Sequence, residues 1–401
     1  MTITASTTTT SPATTRPQEL PAEMLVRFRE RAGELDRTNA YFHEDLAELR
    51  SIGYLAAAVP VHHGGWGLDL DELAQSQRRL ARHAPATALA MTMHHYWIGI
   101  ATQLERWGDT SLTWMLEAAA AGQVFAAGHA EAGNDIPVLL STCVAERVEG
   151  GYRLTGRKQF GSNGPVWSFL GAHAIDMAAP DGPQIVHAMV PRDSEGVTVV
   201  ETWDTLGMRP TQSHDTVLDG VFVPDAMVGC VTPAGDNSAP YVIAMNMWAL
   251  PLIANVYVGI AERAIELAVD SATRKQSIGI ARGAYAYHPM VQHQIAAMYL
   301  ELDAAQATVD RFVDDWLAGA DHGERWGAKL FSMKWRAVEA AKRVVDSALD
   351  VTGGGGMFKG SELERLYRDV RCGGFHPGND ALTHEMVGKI VLGIAAEQPR
   401  W

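Results

Sequence analysis

The segment WDTLGMRPTQSHDTVLDGVFVP, residues 203–224, decides how the rest of the chain is read. A turn-rich beginning gives way to a short alternating run that Gly220 and Pro224 punctuate, the pattern of a strand bounded by turns. The same texture extends on both sides. In RVEGGYRLTGRKQFGS (147–162) two strand-like runs flank Gly150–Gly151, and HAMVPRDSEGVTVVETW (187–203) is built alike. Residues from Phe125 to about Val231 therefore read as one compact β region, a small barrel or sandwich.

Outside that region the period is helical. Leu25, Phe28, Leu35, Phe42, Leu46 and Leu49 recur at spacings of three, four and seven, which suggests a single helix ended by Gly53. A Gly-rich turn, AAAVPVHHGGWGLDL (56–70), follows, and Asp71 is expected to open the next helix. A third apolar helix runs through ATALAMTMHHYWIGIATQL (86–104). Beyond Tyr241, three long helices are expected, along Leu252–Val269, Val291–Leu317 and Trp326–Val351, with a shorter one near Thr383–Ala396. Long helices with Ala- and Gly-rich faces suit a closely packed four-helix bundle. The expected division is a disordered tail over 1–20, a helical domain over 21–124, a β domain over 125–232 and a helical bundle over 233–401.

Composition narrows the class. With 47% hydrophobic residues and 20% charged residues the 401-residue chain can build a large core. Its net charge of −14, with basic residues scattered, argues against nucleic acid as a partner. Cys143, Cys230 and Cys372 are far apart and lack CxxC spacing, so neither a disulfide framework nor a metal site is expected, and a reducing cytoplasm fits. No run of 18 consecutive apolar residues occurs, so membrane insertion is not expected.

Motifs at the domain junctions give this order of domains a family resemblance. VPVHHGGWGLDLDEL (59–73), FAAGHAEAGNDIP (125–137), TGRKQFGSNGP (155–165), the 203–224 segment, YVGIAERAIELA (257–268) followed by Arg274–Lys275, and LDVTGGGG (349–356) with LERLYRD (363–369) occur in sequence. Together they resemble the acyl-CoA dehydrogenase superfamily of flavoproteins, over about residues 22–396. The resemblance implies an α+β fold with an N-terminal helical domain, a central β-barrel or sandwich and a C-terminal four-helix bundle. It also implies FAD as cofactor, or FMN for a monooxygenase, and a homodimer or homotetramer.

Site residues follow from the matched positions. Phe125, Gly128 and His129 stand in the segment expected to floor the flavin, where backbone N–H groups meet developing negative charge. Phe160 stands at the position of an aromatic that lies against the isoalloxazine, and Ser162 at that of a hydroxyl reaching its N5. Arg274, a guanidinium suited to phosphate oxygens, and the permissive Gly353, Gly354 and Gly355 stand where a neighbouring subunit's cofactor is held, with Asn379 as a further contact. Asn134, His95, Ala249 and Pro377 are the expected substrate contacts.

The catalytic base departs from the pattern. Acyl-thioester dehydrogenases of the superfamily use a Glu at one of two positions, and those registers here hold Pro377 and Ala249–Leu250. His376, adjacent to the first, and His94, on the third helix, are the imidazoles that could replace it. Three activities are therefore expected in descending order. The first is α,β-dehydrogenation of an acyl thioester carried on CoA or a carrier protein. The second is a two-component monooxygenase using reduced flavin and O2 on an aromatic or amine. The third is a catalytically silent partner protein. An electron-transfer flavoprotein or a flavin reductase would be the redox partner.

Overall fold

The computed structural model describes residues 19–394. The expected tail lies outside them except for its last two residues, and of those Leu20 is buried in the core while Glu19 pairs with Arg79. The N-terminal region contains α1 (Ala22–Thr38), α2 (His43–Ser51), α3 (Leu70–Ala81), α4 (Pro85–Arg106) and α5 (Thr113–Ala120). The first two are not the single helix that the spacing suggests. Asn39 adopts the left-handed conformation at φ 53°, caps α1 and donates its side-chain amide to Trp203 O at 2.7 Å. The seven-residue gap from Leu35 to Phe42 keeps both apolar faces on the core and hides the break. α3 begins one residue before Asp71, because Asp69 and Glu72 form a reciprocal capping box.

The β region is one eight-stranded mixed sheet. Its strands are β1 (Phe125–Gly128), β2 (Val144–Val148), β3 (Gly151–Gly161), β4 (Phe169–Asp176), β5 (Gln184–Pro191), β6 (Val197–Val200), β7 (His214–Pro224) and β8 (Val228–Pro233). The order is β6-β7-β3-β2-β4-β5-β8, and β1 lies parallel to β4. β5 occupies one edge of β4, while β1 and β2 share the other in tandem, β1 at its start and β2 at Ile175. The chain leaving β1 then bridges β3 at Ala130–Gln159. A cavity opens beside this branch point. The quoted segment supplies both β7 and the loop before it. That loop is pinned to the C-terminal region, since Met208 N–H donates to the Asp369 carboxylate at 2.6 Å and Arg368 bonds Leu206 O and Asp36.

The C-terminal region contains α6 (Pro240–Arg274), α7 (Pro289–Leu317), α8 (Trp326–Thr352), α9 (Glu362–Arg371) and α10 (Asp380–Leu392). α6, α7 and α8 match the three expected long helices, and α6 begins earlier than its periodic residues suggest. Among the described residues α6 alone has the length and apolarity to cross a membrane, but 83% of its most apolar window is buried inside the protein. One connected apolar core joins all three regions. α4 is its hinge piece: Trp97 donates to Ala126 O at 3.0 Å, and its ring lies so close to β4 that a Cβ on Gly171 would meet it at 1.9 Å.

Candidate active site

A cavity of about 550 Å³ lies where α4, the β1–β3 branch, the loop before β7, α6 and the turn after α9 converge. Its volume falls within the roughly 300–1,000 Å³ usual for small-molecule sites. α4 presents Leu89, Met93 and Tyr96 at helical spacing, so one face of that helix forms a wall. The strands supply Ala127, His129, Gln159, Phe160 and Ser162, and the opposite wall is Met245, Asn246, Ala249 and Leu250 of α6. The turn after α9 closes it with Cys372, Phe375, His376 and Pro377. Most of the lining is apolar, and no Asp or Glu is among the described residues that line it.

Phe160 is 56% exposed, stands edge-on to Trp203 at 6.0 Å between centroids, and adopts φ 58°. A bulky residue in the left-handed region costs free energy that the surroundings must offset. It turns an aromatic face onto the cavity wall, a surface on which a planar heteroaromatic ring can rest. Beside it runs a file of hydroxyls. Thr211 donates to Met208 O at 2.8 Å, Ser213 lies 2.7 Å from Thr211 Oγ1, and Ser162 Oγ lies 2.8 Å from Ser213 Oγ. Each hydroxyl has one proton. The terminal carbonyl therefore sets the direction: Ser213 donates to Thr211 and Ser162 donates to Ser213. Ser162 is left with only lone pairs for a cavity guest, which suits an N–H donor.

Two imidazoles face the cavity from opposite sides. His376 Nε2 lies 2.7 Å from the Tyr257 hydroxyl, and burial followed by the nearby Lys334 charge lowers its pKa to about 3. Its ring is half-buried, because one side meets the cavity. His129 Nδ1 lies 3.3 Å from the Tyr96 hydroxyl, and its Nε2 has no protein partner. Burial, then the His187 and Lys158 charges, lower its pKa to about 3 as well. Both are neutral at physiological pH, fitted to hold or pass a hydrogen bond and poor as strong bases.

The structure brings together His376, Ser162, His129, Phe160, Ala249 and Pro377 of the expected site. The others take different places. His94 is fully buried, with Nε2 2.7 Å from Leu55 O and Nδ1 accepting from Phe125 N–H at 3.2 Å, so both nitrogens serve the backbone. His95 is also fully buried, edge-on to Tyr54 at 4.8 Å. Neither lines the cavity, because one residue along a helix rotates about 100° and both lie off the Leu89–Met93–Tyr96 stripe. Phe125 points into the core and stacks on Phe169 at 5.2 Å. Gly128 lies between two lining residues and is itself hemmed by Leu170 and Gly171 O. Asn134 ties its own loop, donating to Glu131 and Leu140 O and accepting from Ile136 N–H. Asn379 is the N-cap of α10.

Arg274 is 79% exposed and pairs with Asp270 within its helix. It lines none of the cavity, and neither do Gly353, Gly354 and Gly355. The residue after Arg274 does reach the glycine turn, since Lys275 Nζ bonds Thr352 O beside it. Among the described residues one group of three histidine and carboxylate side chains has metal-ligand spacing, at the surface, where His62 and His63 each bond one oxygen of Glu105.

Several residues that line or brace the cavity escaped the sequence reading. Tyr96 was legible in principle from its stripe on α4. Tyr257 and Gln159 stood inside motifs valued for other positions. Two lysines, Lys158 on β3 and Lys334 on α8, are each only 1% exposed. Lys158 bonds Glu131 and His173 O, whereas Lys334 bonds only backbone carbonyls, those of Gly373, Gly378 and His376. Nothing in a sequence distinguishes such lysines from solvated ones.

Helices, a mixed sheet and a helical bundle converge on an apolar cavity of the size that takes a small organic molecule. Family models go further: "Acyl-CoA dehydrogenase, N-terminal domain" matches residues 22–114, "Acyl-CoA dehydrogenase, middle domain" residues 125–221 and "Acyl-CoA dehydrogenase, C-terminal domain" residues 244–392. The chain belongs to the acyl-CoA dehydrogenase family of flavin-dependent oxidoreductases. It is 30% identical to the amino sugar nitrososynthase DnmZ of Streptomyces peucetius over 356 residues, 86% of this chain and 85% of that one. It is 28% identical over 369 residues to YdbM of Bacillus subtilis, provisionally named an acyl-CoA dehydrogenase, covering 90% of this chain and 93% of the other. Among solved structures, KijD3 in complex with FMN and a dTDP-linked amino keto sugar superposes with a TM-score of 0.78 at 26% identity, covering 94% of this chain and 92% of that one.

Proposed function

We propose that this chain is a monooxygenase that takes reduced flavin from a separate reductase and oxygenates a small, largely apolar aromatic or amine substrate. The observation that carries this reading is the cavity wall without a carboxylate. Removing the α-proton of an acyl thioester calls for a base far stronger than two imidazoles whose pKa values sit near 3. Oxygenation makes no such demand. Bound reduced flavin would supply two electrons, so that one atom of O2 enters the substrate and the other leaves as water.

The residues present fit a flavin. Phe160 offers an aromatic rest, Ser162 an acceptor for a ring N–H, and the apolar walls exclude water from the reacting region. The unpartnered Nε2 of His129 is a buried group awaiting a partner. His376 would hold the substrate's hydrogen-bonding group, with Tyr257 fixing its ring. The nitrososynthase relative and the FMN complex of KijD3 support this choice over dehydrogenation, and favour FMN over FAD. The name of YdbM supports the dehydrogenase reading, which keeps an electron-transfer flavoprotein as partner. We also propose a cytoplasmic homo-oligomer, in which Arg274 and the Gly353–Gly355 turn face a neighbour's cofactor across apolar surface such as Tyr299, Leu300 and Phe358, all of which are exposed.

Anaerobic titration separates the readings. Purified protein is expected to bind reduced FMN more tightly than oxidised FMN, and to consume O2 with substrate only when reduced FMN is supplied. A tightly held oxidised flavin that bleaches when an acyl-CoA is added without oxygen would refute the oxygenase. His376→Ala should abolish product formation while reduced FMN still binds, and unchanged turnover would remove His376 from the site.

A further inference from the structure

We infer that Lys334 is a positioning residue of the active site, holding the cavity-closing turn that carries His376 through a buried ammonium that bonds three backbone carbonyls and no carboxylate. The inference rests on the assignment of His376 to the site, and it adds the group that acts on it. Lys334 stands in the middle of α8 and is almost wholly inaccessible. Its ammonium donates to Gly373 O at 2.9 Å, Gly378 O at 3.2 Å and His376 O at 3.4 Å. Three donors meet three carbonyls on one turn, so the hydrogen-bonding capacity of the ammonium is filled. Two of those carbonyls flank His376 and Pro377, and the third is the carbonyl of His376 itself. The turn also follows α9 directly, and the negative end of that helix favours a cation there.

The turn is shaped to accept this grip. A Cβ on Gly373 would meet Tyr257 and Val338 at 2.8 Å, and Gly378 adopts φ 70° against Phe331 and the Lys334 stem. The chain therefore lies flat on α6 and α8, with Tyr257 holding the imidazole from one side and Lys334 the backbone from the other. The charged and titratable groups around Lys334 are few. On its own helix they are Lys342 and Glu339, which pair with each other. From α6 comes the neutral Tyr257 phenol, and from the turn His376. From α10, Asp380 is turned toward Trp335. No carboxylate bonds the Lys334 ammonium among the described residues, so its charge acts on His376 without a counter-ion in between. Burial, followed by the Lys342 charge, lowers the Lys334 pKa to about 7.

The test is a pH titration followed by NMR in protein carrying isotope-labelled histidine, with His376 assigned by its loss in His376→Gln. In the unsubstituted protein the His376 signal should stay in its neutral position down to pH 5. In Lys334→Met its midpoint should rise by about one pH unit, the size expected for removing a like charge nearby. Amide exchange in the turn should also quicken at least tenfold. Lys334→Arg should keep the low midpoint, because the charge remains. A His376 midpoint near 6.5 in the unsubstituted protein overturns the inference even if no variant folds, and so does an unchanged midpoint in folded Lys334→Met. These readouts need no flavin and no turnover. If the oxygenase reading fails in the FMN titration, this result still stands or falls separately.

Discussion

Two buried lysines flank the cavity and are solvated by the protein in different ways. On the sheet side Lys158 faces Glu131, itself held by Ser141, Thr142 and Asn134. Burial alone would raise the Glu131 carboxyl, but the Lys158 charge and these hydrogen bonds bring it down to about 2. On the bundle side Lys334 has only carbonyls. The first arrangement is a closed ion pair, and Glu131 opposes the Lys158 charge where that charge reaches His129. The second places a positive charge beside His376 with no carboxylate bonded to it. Both lysines therefore act on a cavity imidazole, and they differ in whether a partner carboxylate offsets the effect.

The largest expected effect separates the two by removal. Lys158→Met leaves the Glu131 carboxylate buried without its counter-charge, at a cost of about 3–5 kcal/mol. Pairing it with Glu131→Gln should recover more than half of that loss in urea unfolding. Lys334→Met leaves three carbonyls short of a donor but also removes a buried charge, and should cost about 1–3 kcal/mol. Equal costs for the two single variants would break the comparison.

A pH series sharpens it. The unfolded chain keeps its Lys334 proton up to about pH 10.4, whereas the folded protein releases it near 7. Between those values the unfolded state binds more protons, so this group makes stability rise with pH, by up to about 1.4 kcal/mol per unit. Lys334→Met lacks that rise, and its cost relative to the parent should grow from pH 7 to pH 9. A level cost would show that the folded protein keeps the Lys334 proton over this range.

On the acid side the sheet region is tested through His187. His187 is buried with neither nitrogen partnered, and burial followed by the Lys158 charge lowers its pKa to about 3. Its unfolded pKa is about 6.5. The unfolded state therefore takes up a proton that the folded state refuses as pH falls from 6.5 toward 3, and stability is lost across that window. His187→Leu should flatten the slope there by up to about 1.4 kcal/mol per pH unit. An unchanged slope would mean that water reaches His187.

The reach of the sequence follows from the same physics. Order along the chain and long-period helices carry the architecture, so α6, α7, α8 and the β2–β3 pairing were visible in advance. The helix break at Asn39 was not, because its cause is a tertiary bond to Trp203. Ser162, Phe160 and His376, each in or beside a motif, line the cavity. His94 does not, because its helical phase turns it away from the lining stripe of α4. Lys334 and Tyr257 were missed because their roles arise only where α6, α8 and the turn after α9 meet.

The smallest expected effects lie in two tyrosine–histidine contacts, one on each side of the cavity. Tyr257 meets His376 at 2.7 Å, while Tyr96 meets His129 at 3.3 Å, near the outer limit for such a bond. Both phenols are deeply buried, but each imidazole also borders the cavity, where water can replace a lost hydroxyl. Replacement by Phe should therefore cost about 1 kcal/mol or less on either side. The shorter contact is on the side where Lys334 already fixes the backbone, so the two restraints on His376 act together. Tyr257→Phe should consequently cost more in the parent than in Lys334→Met, where the turn is already loosened. Tyr96→Phe should cost the same in both. A double-mutant cycle reads this directly, and a coupling for Tyr257 no larger than that for Tyr96 would mean that the turn does not transmit the grip of Lys334 to the imidazole.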